Sequence, residues 1–295
     1  MKIMILGSNG QLGSELAKNI SCSKILALTK ESCDITNYKL IENKINEFKP
    51  DYVINAAAYT DVDGAEKFFN VANIINNDAV KNLALLSNKY NFYLMHFSTD
   101  YVFNSKNNIP IQENDIKNPI NKYGESKLLG ENNIIDIANK YIILRVSWVY
   151  GEVGNNFPKT IIKLAKEKNE ISVVNDQYGA PTSTKLITLL VKKIINKYNS
   201  GYSDSQIFHL SPNGICSWYE ISNFIFDHLK NNEVVSKNTY LLKKINPVSS
   251  SFYKTIAKRP SFSYLCNNKL ANFLDYRFDD WKQNLSEFLE KEILL

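Results

Sequence analysis

An α/β fold, with a doubly wound parallel sheet and a smaller C-terminal α/β domain, is predicted by three observations. Short apolar runs alternate with segments of helical spacing through the first hundred residues. The first apolar run ends in a glycine-rich turn, Gly7-Ser8-Asn9-Gly10-Gln11-Leu12-Gly13. Beyond Gly151 the alternation loosens. Right-handed crossovers turn such a pattern into a parallel sheet with helices on both faces. Residues 1–150 form the first predicted domain and 151–295 the second, with later segments returning to the sheet.

The elements follow in order. Ile3–Leu6 is a strand, and Gln11 to Ile20 a helix with Leu12, Leu16 and Ile20 on one side. Ile25–Leu28 is the second strand. Asn37 to Phe48 reads as a helix stopped by Lys49-Pro50. Tyr52–Ile54 is the third strand, Val71 to Tyr90 one long helix, and Phe92–Phe97 the fourth strand. Tyr123 and Lys127 open a helix running to about Asn139, followed by a buried strand from Tyr141 to Ser147 that carries Arg145. In the second half, helices are predicted from Asn155-Asn156-Phe157-Pro158, over Lys185–Tyr198 and over Trp218–Leu229. A strand is predicted over Ile207–Leu210 and a polar loop over Asp176–Thr182. The terminal segments are Leu270–Leu274 and Asp280–Leu294.

Composition narrows the functional classes. The 295 residues are 44% hydrophobic and 22% charged, as in an ordinary globular protein with a core of normal size. No run of 18 apolar residues is present, so no membrane span is predicted. The N-terminus enters a strand directly, without the length or cleavage site of a secretory signal. Cys22, Cys33, Cys216 and Cys266 show no paired spacing and read as reduced thiols in a cytoplasm. The net charge of +5 suits an anionic small ligand, but the basic residues are too dispersed for a nucleic-acid face.

The glycine turn matches G-x-x-G-x-x-G, a spacing variant of the dinucleotide fingerprint. Glycines there let the backbone approach a pyrophosphate, whose charge sits on the helix N-terminus. Gly7 and Gly10 are the first cofactor-site candidates. The second strand ends at Thr29-Lys30, where an NAD site usually carries an acid on the ribose 2′-hydroxyl. Lys30 suits a 2′-phosphate instead, and NADPH is therefore expected ahead of NADH; Glu31 opposes this, and a solvated charge is the competing reading. Asn55-Ala56-Ala57-Ala58-Tyr59 offers small residues at a strand end, for either cofactor approach or helix packing. Ser98 and Thr99 end the fourth strand, where ligands of such sheets bind. His96, inside that strand, reads as a core histidine. Tyr123 and Lys127, four apart, share one helical face. Tyr123 can protonate a carbonyl oxygen as hydride reaches the carbon. Lys127 is expected to lower the phenol from its usual value of about 10, and Ser98 and Thr99 sit where a substrate carbonyl would be.

Together these motifs resemble those of extended short-chain dehydrogenase/reductases with a Rossmann domain, and more narrowly the dTDP-4-dehydrorhamnose reductase family. The matching strings are Gly10-Gln11-Leu12-Gly13, Asn55 to Thr60, Ser98 to Phe103, Tyr123-Gly124-Glu125-Ser126-Lys127, Ser147-Trp148-Val149-Tyr150-Gly151, Asp176-Gln177-x-Gly179-x-Pro181-Thr182 and Arg259-Pro260. They span residues 7 to 260. The resemblance implies NADPH-dependent reduction of the C4 ketone of dTDP-4-dehydro-L-rhamnose, in the making of cell-surface polysaccharide. It makes residues 1–150 the NAD(P)-binding domain and 151–295 the substrate domain. Gly10, Gln11 and Leu12 would hold the pyrophosphate, Asp34 and Ile35 lie near the adenine, and Ala56, Ala57 and Ala58 lie along the ribose. Thr99, Tyr123 and Lys127 would be the catalytic three, with Lys127 also on the nicotinamide ribose. Thr99, Asp100 and Trp148 would contact the nucleotide sugar, and Arg259, with Lys163, its diphosphate. A homodimer is compatible. Some relatives carry magnesium at a dimer interface through a Glu at the position of Glu15; the acidic partners are not evident near Lys192-Lys193, so no metal is expected. The alternatives are an epimerase, dehydratase or reductase of another 4-keto-6-deoxy nucleotide sugar, and a non-catalytic cofactor-binding subunit like the regulatory subunit of methionine adenosyltransferase.

Overall fold

Alternating strand residues send their side chains to opposite faces of a sheet, and β1 (Lys2–Leu6) shows what that does here. Ile3 and Ile5 enter one core cluster and Met4 and Leu6 another, all fully buried. A strand buried on both faces is the mark of a parallel sheet between two helical layers. The computed structural model describes residues 1–105, 108–231 and 240–293. It contains such a sheet of six parallel strands.

The first half runs β1, α1 (Gln11–Asn19), β2 (Lys24–Leu28), α2 (Tyr38–Phe48), β3 (Tyr52–Asn55), α3 (Val62–Lys67) and α4 (Phe69–Asn73). A π-helical turn (Ile74–Asp78), α5 (Ala79–Tyr90) and β4 (Tyr93–Thr99) follow, then α6 (Lys122–Ile137) and β5 (Tyr141–Val146). The second half runs β6 (Val149–Tyr150), α7 (Phe157–Glu167), β7 (Glu170–Val174), β8 (Tyr178–Gly179), β9 (Thr182–Ser183), α8 (Thr184–Asn199) and β10 (Gln206–Leu210). It ends with β11 (Cys216–Ser217), α9 (Trp218–Asn231), β12 (Lys244–Val248), α10 (Asn268–Leu274) and α11 (Trp281–Ile293). Leu294, the predicted end of the terminal segment, lies outside the described residues.

The sheet order is β10-β5-β4-β3-β1-β2. The chain steps outward from β1 to β2 and then crosses back to β3, so the order reverses between β1 and β3. Ligands of open α/β sheets bind at such a reversal, beyond the strand carboxyl ends. α1, α8 and α10 cover the face with Ile3 and Ile5; α2, α5 and α6 cover the other. β10 and α8 both come from beyond residue 151, so that half of the chain completes the sheet as well as building its own layer. In that layer β7 pairs in parallel with β12, and a third apolar cluster packs α7, α9 and α11 together.

The single helix predicted from Val71 to Tyr90 is interrupted. Its π-helical turn carries Asn76, which is fully buried. The Asn76 side chain accepts from the Tyr59 N–H (2.9 Å) and donates to the Tyr59 carbonyl (3.0 Å) and to Ser126 Oγ (3.0 Å). Such turns cluster at functional sites. Here the extra residue places one amide between the loop after β3 and the helix α6. Apolar periodicity carries no signal for it. No helix among the described residues is long and apolar enough to cross a membrane. All four cysteines are unpaired.

Candidate active site

At the reversal, Gly7 adopts φ +76° and its Cα lies against Ala57; a Cβ there would sit 2.8 Å from the Ala57 backbone. A Cβ at Gly13 would collide with the Gly7 carbonyl. Any larger residue would push α1 off the strand end. Gly10, the N-cap of α1, provides no side-chain cap, whereas Asn37, Asp61, Asn121, Asn156 and Ser183 each cap the helix that follows them. The first N–H groups of α1 are thus left for an anion. Space above Gly10 is open, with only the Gly7 carbonyl near. This cradle fits a dinucleotide pyrophosphate. Gln11 is held at its edge by Asn156 (3.1 Å), and Leu12 packs into the adjoining core.

Around the cradle, Lys30 is exposed at the end of β2. Its neighbour Glu31 reaches Asn9 of the glycine turn at 3.5 Å, so one cation and one carboxylate both border this edge. Asp34 turns its carboxylate onto the Thr36 N–H (2.9 Å) and hydroxyl (2.7 Å), and those bonds hold it below the usual carboxylate range. Ile35 is buried. Ala56, Ala57 and Ala58 are half-buried and follow directly from β3.

Thr99, Asp100, Tyr123 and Lys127 meet at the carboxyl end of β4. Thr99 is the last residue of that strand, and Asp100 opens a 3-10 turn. The Thr99 hydroxyl donates to Asp100 Oδ1 (3.0 Å) and accepts from the Tyr101 N–H (3.2 Å), and its side chain bears on the Tyr123 phenol. Asn121 caps α6 through the Gly124 N–H (2.8 Å), and Gly124 lets the helix start against the Tyr101 carbonyl. That close approach brings Tyr123 to Thr99. Burial pushes the Tyr123 phenol up, with Thr99 opposing the shift and Asp100 and Tyr101 adding to it. The expected lowering by Lys127 is therefore overturned: burial dominates and keeps the phenol protonated. Burial also raises the Asp100 carboxyl to about 7. Its Oδ2 and the Ser98 hydroxyl are buried without a hydrogen-bond partner among the described residues.

Lys127 is 2% exposed. Its Nζ donates to the Phe97 carbonyl (2.7 Å) and lies 3.2 Å from His96 Nε2. Burial lowers it to about 8, against the field of Glu131. His96 Nδ1 lies 3.1 Å from Asn55 Nδ2, and burial, with Lys127 beside it, holds the imidazole neutral.

Arg259 approaches from the second half. It pairs with Asp63 at 3.0 Å and its charge bears on Tyr101, whose ring packs edge-on against Tyr123 at 5.6 Å. The Asn121 side chain donates to the Lys258 carbonyl (2.8 Å), which ties this segment to the start of α6. Arg259 Nη1 is buried without a partner among the described residues. Trp148 sits at φ +49°, a strained setting for an aromatic residue, and stacks on Trp218 at 3.7 Å. Lys163 lies elsewhere: it is exposed on α7 and reaches Glu167 one turn on, at 4.0 Å. Glu15 accepts from Asn19 at 2.8 Å.

The model of the RmlD substrate binding domain family matches residues 1–293. The dTDP-4-dehydrorhamnose reductase of Salmonella typhimurium is 35% identical over 294 residues, covering 98% of this chain and 97% of that protein. This chain belongs to the dTDP-4-dehydrorhamnose reductase family. A crystal structure of the Clostridium acetobutylicum dTDP-4-dehydrorhamnose reductase superposes with a TM-score of 0.90 at 36% identity, covering 99% of this chain and 100% of that one. The Bacillus anthracis dTDP-4-dehydrorhamnose reductase, solved in complex with NADP, gives 0.90 at 35% identity, covering 98% and 99%.

In this dTDP-4-dehydrorhamnose reductase family member, sequence reasoning missed three contributors to the site. His96 touches Lys127 and Asn55 touches His96, yet Asn55 reads only as the start of the small-residue stretch after β3 and His96 as a single polar residue in an apolar strand. Trp218 backs Trp148 from 70 positions away, and its aromatic spacing reads as an ordinary helix core. A buried histidine two residues before Ser98 was the one available signal, and it reads equally well as packing.

Proposed function

We propose that the chain reduces the C4 ketone of dTDP-4-dehydro-L-rhamnose to dTDP-L-rhamnose with NADPH. The observation that carries the reading is the convergence of Thr99, the buried Tyr123 phenol and buried Lys127 at the sheet end that also bears the glycine cradle. NADPH, when bound, supplies the hydride. Gly7, Gly10, Gln11 and Leu12 bind the pyrophosphate, with Ala56, Ala57 and Ala58 along the ribose, Asp34 and Ile35 at the adenine and Lys30 at the 2′-phosphate. Tyr123 gives its proton to the C4 oxygen as charge develops there, and its burial keeps that proton in place beforehand. Thr99 hydrogen-bonds the same oxygen. Lys127 provides a cation next to the forming phenolate and holds the nicotinamide ribose. Asp100 binds sugar hydroxyls, Trp148 packs on the hexose ring, and Arg259 meets the diphosphate, for which a guanidinium fork is well suited. Residues 1–150 are the cofactor side and 151–295 chiefly the substrate side.

The test supplies the purified protein with NADPH and the product of the preceding dehydratase and epimerase steps. NADPH absorbance should fall, and NMR should identify the rhamnose configuration. Tyr123→Phe should cut turnover by about 10²- to 10⁴-fold. NADPH binding without oxidation on any 4-ketohexose nucleotide would overturn catalysis. Turnover giving only the other C4 epimer would discard the rhamnose assignment.

A further inference from the structure

The hydrogen bonds around Lys127 have directions that can be worked out one at a time. The Ala57 N–H can only donate, so Asn55 presents Oδ1 to it at 3.2 Å. The same amide then turns Nδ2, a donor, towards His96 Nδ1. His96 Nδ1 is therefore an acceptor without hydrogen. A neutral imidazole in that state carries its hydrogen on Nε2. Nε2 faces Lys127 Nζ at 3.2 Å. An ammonium has three donors and no lone pair, so this contact would set donor against donor. An uncharged amine has a lone pair to receive the hydrogen and can still donate to Phe97.

We propose that Asn55 and His96 bias Lys127 toward the neutral amine in the cofactor-free protein, with His96 Nε2–H donating to Nζ in that form. His96 is a positioning residue for Lys127, and Asn55 sets its tautomer. The kinetic part of this inference rests on the proposed reaction; the tautomer does not. The other groups that bear on Lys127 are accounted for. Glu131, one turn further along α6, gives both its oxygens to Arg145 of β5, at 2.9 and 2.7 Å. Tyr123 lies one turn back on the same helix, held protonated, and Asp100 is engaged with Thr99. No carboxylate pairs with Lys127 among the described residues. Burial alone brings the lysine to about 8, and the conflict with the imidazole hydrogen acts in the same direction.

The chain has three histidines, which makes the tautomer measurable. His209 is the internal reference. Its Nδ1 faces the Ile111 carbonyl at 3.0 Å and must donate, while Nε2 accepts from Arg145 at 3.3 Å. His228 belongs to α9. A long-range ¹H–¹⁵N correlation spectrum of the cofactor-free protein should show His96 as the Nε2–H form and His209 as the Nδ1–H form. His96→Phe assigns the first signal. Asn55→Leu should move the His96 hydrogen to Nδ1 and let Nε2 accept from an ammonium. In that variant the alkaline fall of kcat/KM for NADPH should shift upward by about one pH unit, about a tenfold gain on that limb. A wild-type His96 found as Nδ1–H or as imidazolium overturns the proposal, whatever becomes of Asn55→Leu. An unshifted alkaline limb in an active, folded Asn55→Leu overturns the coupling to Lys127. Absence of turnover in every form would instead remove the proposed reaction and leave the spectrum to decide the tautomer.

Discussion

Two cations are buried in the same layer of this protein, each beside a histidine of the central sheet, and they are met very differently. Arg145 on β5 receives both oxygens of Glu131, donates to the Glu113 carbonyl at 3.0 Å and to His209 Nε2, and lies over the Phe103 ring at 4.9 Å. Lys127 on α6 has one carbonyl and one imidazole. A guanidinium paired with a carboxylate and bonded through each of its three nitrogens is a structural anchor that will not change its proton count. An amine left without a carboxylate has a proton count that its surroundings can tune. The permanent cation thus belongs to the sheet and the adjustable one to the helix packed on it, with Glu131 of α6 as partner of the first and field of the second.

Substitution should separate the two cations sharply. Lys127→Met is expected to lower turnover by about 10²- to 10⁴-fold, the range for groups that manage proton transfer. Chemical denaturation should show a smaller penalty of about 1–3 kcal/mol, from the orphaned Phe97 carbonyl and His96. A variant that kept more than a third of wild-type kcat would remove Lys127 from the reaction. Glu131→Gln should do the reverse. It strands a buried guanidinium, and breaking such a pair costs about 3–5 kcal/mol. A loss below about 1 kcal/mol in urea titration would mean that Arg145 is not anchored as described.

The two histidines should act alike in acid despite their different neighbours. Burial holds His209 down to about 3 from 6.5 and His96 well below its ordinary value. Below 6.5 the unfolded chain takes up these protons and the folded chain does not, so stability falls as pH falls, by about 1.4 kcal/mol per pH unit for each group. Asp100, raised to about 7, opposes them, because there the folded state keeps a proton that the unfolded state loses. The net expectation is a loss of about 1.4 kcal/mol per pH unit between about pH 6 and 4, measured by denaturant titration. Asp100→Asn should steepen it. A flat profile in that variant would contradict the neutral state of both imidazoles.

The smallest effect belongs to a third cation, Lys30, which is exposed. Solvent screens such charges, so Lys30→Glu should weaken NADPH relative to NADH by only about three- to tenfold. Equal kcat/KM for both cofactors in the wild type would dismiss Lys30 as a 2′-phosphate contact and leave Glu31, beside Asn9, as the group that sets the edge.

Much of this was legible before the structure. The strands of the first half differ from their predicted bounds by a residue or two, because apolar runs ending in glycine or polar turns are local signals. β4 continues through Thr99 where the apolar run stops at Phe97, since its pairing with β5 extends to Thr99↔Val146. The π-helical turn inside the helix from Val71 has no sequence signal, because what accompanies it, Asn76 bonding Tyr59 and Ser126, lies outside any local periodicity. The loop over Asp176–Thr182 contains β8 and β9, two-residue strands that exist only by pairing with β11 and β6.

The alternating fold, the glycine cradle and the Tyr123–Lys127 face are legible along the chain alone, because each depends on residues within a turn or two of one another. The charge state of that face depends instead on segments that meet only in the folded molecule. Asn55 and His96 lie 41 positions apart, and His96 and Lys127 lie 31 apart. Parallel pairing of β3 with β4, and packing of α6 against β4, are what bring them into hydrogen-bonding distance. Burial then does what no spacing could announce: it takes water away from the phenol and the amine together, keeping the proton on Tyr123 and loosening it on Lys127.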